Sequence, residues 1–376
     1  MLWQQPERVR FNMADKTKRT GAPLTKVAAD YWSKYSYIFV FIIILIVYAF
    51  TINANGNRFN SGHISGILSS QNTVIVGTMA IGMAMVIITG QIDLSLGSSL
   101  VLCTGVTIMA YNATGGNVLV MLLAALGSGL VCGTINGVLV GYAKMPPFIV
   151  TLGTMLIYRS LTLSVVREID PALTGSSSSQ FSMLSSMESY DFLRMRFGTG
   201  SLRLGSLMIP YISFLFVAIT LFFIFMMSNT KYGKSIYAVG SNEKTARLTG
   251  INVEGVKVSV FAVTGLLVGV ASFIQACKIG NVTPASSGTS YEMYAIAAVV
   301  LGGVNMAGGR GKILGVFFGA LSYTTINFII VSIPALSPDI QNTFQGLVLI
   351  SVILVQTAGP VIKEKFKSMR KHAKAN

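Results

Sequence analysis

Residue types that carry chemistry are sparse in this 376-residue chain, and none stand at a catalytic spacing. His63 and His372 lie far apart in polar segments with no nucleophile set beside them, so neither a metal site nor a general base is expected. Cys103, Cys132 and Cys277 lie in or at the ends of apolar runs and read as small buried thiols. Gly233-Lys234-Ser235 has the ending of a phosphate-binding loop. That loop needs a glycine five residues before Gly233, where Ser228 stands. Gly311-Lys312 is followed by Ile313 and fails the same test. The chain is therefore expected to bind no ATP, metal or cofactor, and not to be an enzyme.

What remains is polar chemistry in apolar surroundings. Asp93 sits in Gly90-Gln91-Ile92-Asp93-Leu94-Ser95-Leu96-Gly97-Ser98, a short break between two apolar runs. A carboxylate there needs water or partners. Either Asp93 or Ser95 caps the following helix, or Asp93 meets a transported molecule. Arg159 lies deep in an apolar run, where it either has a function or pairs or snorkels. Asn136 and Thr151 could line a polar path, or could bond between helices.

The stretch 229–255 is different: polar, basic and set between two apolar runs. Its second half has the punctuation of a short helix. Ser241 or Asn242 can cap it, Glu243 falls in the first turn, Ala246 and Arg247 favour helix, and Gly250 can end it in a left-handed turn. A capped helix on a membrane face suits docking to a soluble partner; an ordinary solvated loop is the other reading.

The elements that must hold these residues are membrane helices. The chain is 52% hydrophobic and 11% charged, against about 25% charged in soluble proteins. An apolar run of about 20 residues crosses the hydrocarbon core as a helix. Ten such runs are expected, near 35–54, 73–89, 90–111, 118–142, 148–166, 209–228, 256–275, 291–304, 313–333 and 344–357. The fold class is thus all-α: a polytopic transmembrane bundle with basic tails at 1–34 and 359–376 and a membrane domain over 35–358. Five runs on each side of the polar segment 167–207 would make two inverted halves. Gly129, Gly133, Gly137 and Gly141 recur every fourth residue and share a helix face, the pattern of closely packed membrane helices.

The net charge of +15 would suggest nucleic acid in a soluble protein. Here it orients the chain. With both ends inside, 21 of the 28 lysines and arginines fall in inward segments, including 229–255. The segment 167–207 then lies outside.

Four stretches carry a resemblance to a known family. They are Gly90 to Ser98; Pro147-Phe148-Ile149-Val150-Thr151-Leu152-Gly153-Thr154-Met155; Gly240-Ser241-Asn242-Glu243 through Gly250-Ile251; and Tyr291-Glu292 through Gly302-Gly303 with Ala307-Gly308-Gly309-Arg310-Gly311. Together they resemble the permease subunits of ribose- and galactoside-type ABC importers, within the branched-chain amino acid and sugar permease superfamily. The resemblance covers roughly 35–357. It implies a bacterial inner-membrane protein that pairs with a second copy of itself, a cytoplasmic ATP-binding subunit and an extracytoplasmic sugar-binding protein. It also implies that the helix from Ser241 to Gly250 is the one seated in the ATPase. Asp93, Ser95, Asn136, Phe148, Thr151, Arg159 and Glu292 are the motif and path candidates. The family usually has an aspartate where this chain has Tyr294. A nucleoside, an autoinducer-like sugar or an amino acid are alternative cargoes. A secondary transporter is the rival class, and would need more ionisable groups in the membrane than Arg159 and Glu292.

Overall fold

The computed structural model describes residues 24–176 and 179–334, with scattered positions between 340 and 354. Most of the expected run 344–357, the tail 359–376 with His372, and residues 1–23 of the first tail lie outside the described residues. Two compact units are distinguished, Met1–Ser36 and Tyr37–Asn376. Of the first, the described part is the helical stretch from Leu24, which enters α1 (Leu24–Ala54); the backbone leaves the helical range at Tyr35. The expected tail 1–34 is therefore helical over its last turns.

The second unit is built from apolar helices. After α1 come α2 (Ser61–Ser69), α3 (Gly77–Ile88), α4 (Leu96–Ala113), α5 (Val118–Gly141) and α6 (Pro147–Glu168). Short pieces follow: α7 (Pro171–Thr174), β1 (Phe181–Ser182), α8 (Ser189–Leu193), β2 (Ser201–Leu204) and β3 (Leu207–Pro210). Then come α9 (Tyr211–Asn229), α10 (Lys231–Ser241), α11 (Glu243–Leu248), α12 (Val253–Ile279), β4 (Asn281–Val282), α13 (Tyr291–Leu301) and α14 (Ile313–Val331).

Seven of these helices are long and apolar enough to cross a membrane, and eight if α2 and α3 form one bent span. The bend is 48° and falls at Ser70 and Gln71, just before a π-helical turn, Asn72–Val76. Every residue of α3 is buried. A helix apolar on all sides belongs in the middle of a bundle, and α3 packs against α9, α12, α13 and α14.

Two expected spans change. The sixth starts at Tyr211, because Ile209 belongs to the hairpin of β2 and β3. The eighth is short: α13 has 11 residues, about 16 Å of helix against a hydrocarbon core of about 30 Å. Gly302 and Gly303 end it, the latter at φ +77°.

The expected glycine face of α5 meets α12. A Cβ at Gly129 would strike Gly265 and Gly269, and at Gly133 it would strike Phe261 and Gly265. At Gly137 and Gly141 it would strike the backbone of Val258 and Glu254. The two backbones touch along the whole seam, so dispersion contacts between main chains replace side-chain packing.

Candidate functional site

The polar stretch 229–255 folds as two helices, not as a loop carrying one. Thr230 caps α10, accepting from the Gly233 amide (3.1 Å), and Gly233, Ile236 and Val239 bury one face at three-residue spacing. Ser241 ends α10 rather than starting α11. Asn242 is the cap of α11, its Oδ1 accepting from the Thr245 amide at 2.9 Å. Gly250 turns the chain at φ +83°, and Asn252 caps α12 by accepting from the Gly255 amide at 3.0 Å. Three capped starts in succession fix two sharp elbows.

Two of the three charges on α11, Glu243 and Arg247, are paired inside the chain. Arg247 pairs with Glu254 at 2.7 Å and with Glu243 at 3.6 Å, while Glu243 pairs with Lys257 at 2.9 Å. These tie α11 down onto the first turns of α12. Ala246 is buried beneath. Leu248 points away, 88% exposed.

The last turn of α10 is sewn to two breaks in the membrane helices. Gly240 lies against the Ile88 carbonyl and the Gly309 amide so closely that no Cβ would fit. The Gly309 amide donates to Ile88 O at 2.8 Å, and the Tyr237 hydroxyl donates to Gly311 O at 2.8 Å. Burial pushes the Tyr237 phenol above its ordinary value, so it stays a donor at physiological pH. The end of α3, the turn before α14 and the elbow of α10 thus meet at backbone distance.

The first break continues into a buried polar knot. The Ser95 amide and hydroxyl both donate to Asp93 Oδ1, at 2.9 and 2.7 Å. Asn136 Nδ2 on α5 donates to Ser95 Oγ at 2.8 Å, and Asn136 Oδ1 has no partner among the described residues. Ser95 makes no cap bond; it is the acceptor and relay between Asn136 and Asp93. Thr151 is buried and bonds back to Pro147 O at 2.9 Å. Asn136 and Thr151 therefore sit between helices.

The remaining candidates disperse. Arg159 Nη1 donates to the carbonyls of Pro284 and Ser287 at 2.6 and 2.7 Å, clamping the loop before α13 onto α6. Glu292 lies beside Gly97 and feels the Arg159 charge without an ion pair to it. Phe148 is 57% exposed on the outer face of α6. His63 is a capping residue: its Nδ1 accepts from the Asn60 amide at 3.2 Å. Among the described residues no group of His, Cys, Asp and Glu could hold a metal ion.

At the opposite end the segment 167–210 is folded over the helix ends. Its β1 pairs with β4, Phe181 against Val282. Asn112 at the end of α4 donates to Leu173 O and Ser182 O, both at 2.9 Å, and accepts from the Leu184 amide at 3.0 Å. Within this segment α8 is continued by a π-helical turn to Thr199.

Several residues that build the site escaped sequence reasoning. Glu254 and Lys257 gave no local signal, and neither did Leu248 or Tyr237. Gly265 and Gly269 carry the same four-residue spacing as the α5 stripe and were open to being read.

The described residues thus form a polytopic helical bundle, with a capped polar elbow at one end seated on its helix breaks. Residues 65–353 match the family model described as branched-chain amino acid transport system / permease component, and the chain belongs to that family. It is 37% identical over 271 residues to the ribose import permease protein RbsC of Escherichia coli strain K12, covering 72% of this chain and 78% of that one. It is 34% identical over 285 residues to the Bacillus subtilis strain 168 ribose import permease protein RbsC, covering 76% and 82%. The xylose transport system permease protein XylH of E. coli strain K12 is 32% identical over 314 residues, covering 73% and 79%. No solved structure matches the chain.

Proposed function

We propose that this chain is the membrane-spanning subunit of an ATP-driven ABC importer for a monosaccharide. It sits in a bacterial inner membrane, with both termini and the α10–α11 elbow in the cytoplasm. A separate ATP-binding subunit docks on α11, a sugar-binding protein delivers cargo at the opposite end, and two copies enclose the path. The names of the ribose and xylose permeases support the cargo class. The excess of basic residues at the elbow end supports the orientation. The exposed apolar face of α6, with Phe148, Leu152 and Leu156, suits lipid or the second copy. Two five-span halves are favoured by packing: α4 lies on α5 and α12 as α13 lies on α14 and α3.

One observation carries the reading. The α10–α11 elbow joins an exposed leucine to two helix breaks through backbone contacts, so a displacement of α11 reaches α3 and the turn before α14 without intervening soft side chains. Because α12 starts at the same elbow, it would slide along the glycine seam on α5. In this mechanism ATP binding draws two ATPases together, the elbows follow, and the bundle alternates between outward and inward access.

A single cysteine at Lys244 tests the orientation. An impermeant maleimide should label it in inverted vesicles and not in intact cells; strong labelling of intact cells would sink the topology and the importer reading. Co-purification of a soluble ATPase that is lost on changing Leu248 to Asp tests the docking face. Gradient-driven uptake by this chain alone would reject the class.

A further inference from the structure

A cavity of about 370 Å³ opens behind α11, between it, the start of α12 and the turn from α5 to α6. Its wall holds Gln91, Lys144, Glu243, Arg247, Glu254 and Lys257. Three cations face two carboxylates, and the pairs at 2.7, 2.9 and 3.6 Å use Arg247 and Lys257. Lys144 has no hydrogen bond or ion pair among the described residues; its charge reaches Glu254 only at longer range. One positive charge is therefore in excess. Gln91 is 6% exposed, and its Oε1 has no hydrogen-bond partner. A buried amide oxygen left unbonded is costly, and Gln91 belongs to the cavity wall.

An excess cation beside an unbonded acceptor matches one ligand chemistry: an anion that also carries hydroxyl donors. We infer that this cavity binds a phosphorylated polyol, its phosphate on Lys144 and a hydroxyl on Gln91, and that the ligand regulates the elbow. Two sources share that chemistry, a soluble sugar phosphate and the phosphoglycerol headgroup of an anionic lipid. An occupant bridges α11 to the α5–α6 turn and to the break that holds Asp93, so it holds the elbow in one position. In the orientation proposed above the cavity opens to the cytoplasm, where phosphorylated sugar accumulates when import outruns use; that regulatory role rests on the importer reading, while the binding site does not.

The test uses the purified full-length permease in neutral detergent, titrated calorimetrically with ribose 5-phosphate, ribose and inorganic phosphate. A parallel arm measures phosphatidylglycerol retained by native mass spectrometry. Lys144 stands at φ +56°, so Lys144→Asn removes the charge while tolerating that backbone. Ribose 5-phosphate or phosphatidylglycerol should bind, at least tenfold more weakly in Lys144→Asn and in Gln91→Leu, with unchanged melting temperatures and with binding kept in Lys144→Arg. The arm that responds identifies the source. Binding of neither, or binding equal in all variants, overturns the site. Binding that is intact but reached only from outside in sealed cells leaves the site standing and rejects the orientation.

Discussion

The two polar inserts of this chain, the basic 229–255 at one end and the serine-rich 167–210 at the other, have opposite constructions. The first is regular: two capped helices, one laying its last turn on bare backbone and the other tied through Glu243 and Arg247 to the start of α12. The second is a patchwork of short pieces held by single side chains, Asn112 and Arg194 above all, that reach main-chain carbonyls. Backbone-on-backbone contact transmits displacement because nothing between the two main chains can rotate. Side-chain ties let pieces settle independently while anchoring them. The first construction suits a lever and the second a platform.

That contrast breaks first at Gly240. Replacing it with Val puts a side chain where the Ile88 carbonyl and Gly309 amide now lie. Overpacking against backbone costs about 1–3 kcal/mol or more, and here the main chain must give way. Gly240→Val should abolish uptake and leave little folded protein in the membrane, read by size-exclusion profile and vesicle transport. Gly153, with nothing within reach of a Cβ and no left-handed backbone, is the control. Normal uptake in Gly240→Val would mean that the lever is not rigid.

Leu248→Asp comes next and separates docking from folding. Leu248 is almost fully exposed, so its loss costs the isolated chain nothing. Burying a leucine in a partner gives about 1.5–3 kcal/mol, which is roughly a tenfold change in affinity or more. Uptake and ATPase association should fall about tenfold at an unchanged melting temperature. A matching fall in melting temperature would instead assign Leu248 to the fold.

How far each region was legible in the sequence follows the same division. Membrane helices announce themselves by length and apolarity, and α5 betrayed its packed face because glycine at every fourth residue has few other uses. The stretch that became α10 carries Gly233, Ser235, Gly240 and Ser241, poor helix formers, so its local signal was loop. Burial of Ile236 and Val239 against the bundle made it a helix, and that partner lies outside any local window. The run from Tyr291 to about Val304 is the weaker kind of span signal, with Gly302 and Gly303 already in it, and the helix stops at Leu301. In the site, the cap at Asn242 and the turn at Gly250 were readable because they act on their own helix. The Asn136–Ser95–Asp93 relay was not, since Asn136 and Ser95 sit 41 residues apart and only the fold brings them together. Charges on α11 could be seen but not their partners, so Arg247 and Glu243 looked outward when they face α12.

The patchwork at the other end should respond to Asn112→Ala chiefly in stability. Three bonds go at once, and each leaves a main-chain group of Leu173, Ser182 or Leu184 unpaired. At about 1 kcal/mol apiece the expected loss is roughly 2–3 kcal/mol, seen as a lower melting temperature. Uptake below that temperature should change by about twofold at most. A tenfold loss of uptake with normal melting would show that this segment also moves with the cycle.

The smallest effect is expected from neutralising the elbow's own charge. Arg247 is half exposed and shared between Glu254 and Glu243, and water screens such pairs. In Arg247→Gln the amide can still donate to one carboxylate, and Lys257 still holds Glu243. Uptake should fall by less than about twofold. Arg247→Glu is different in kind. It sets a third carboxylate beside Glu243 and Glu254, and repulsion lifts α11 from α12 while the caps at Asn242 and Asn252 keep each helix formed. ATP hydrolysis by the assembled complex should then continue with little uptake. Equal, mild effects of both substitutions would mean that Arg247 serves neither to seat the elbow nor to carry its motion, and that the backbone contacts at Gly240 do so alone.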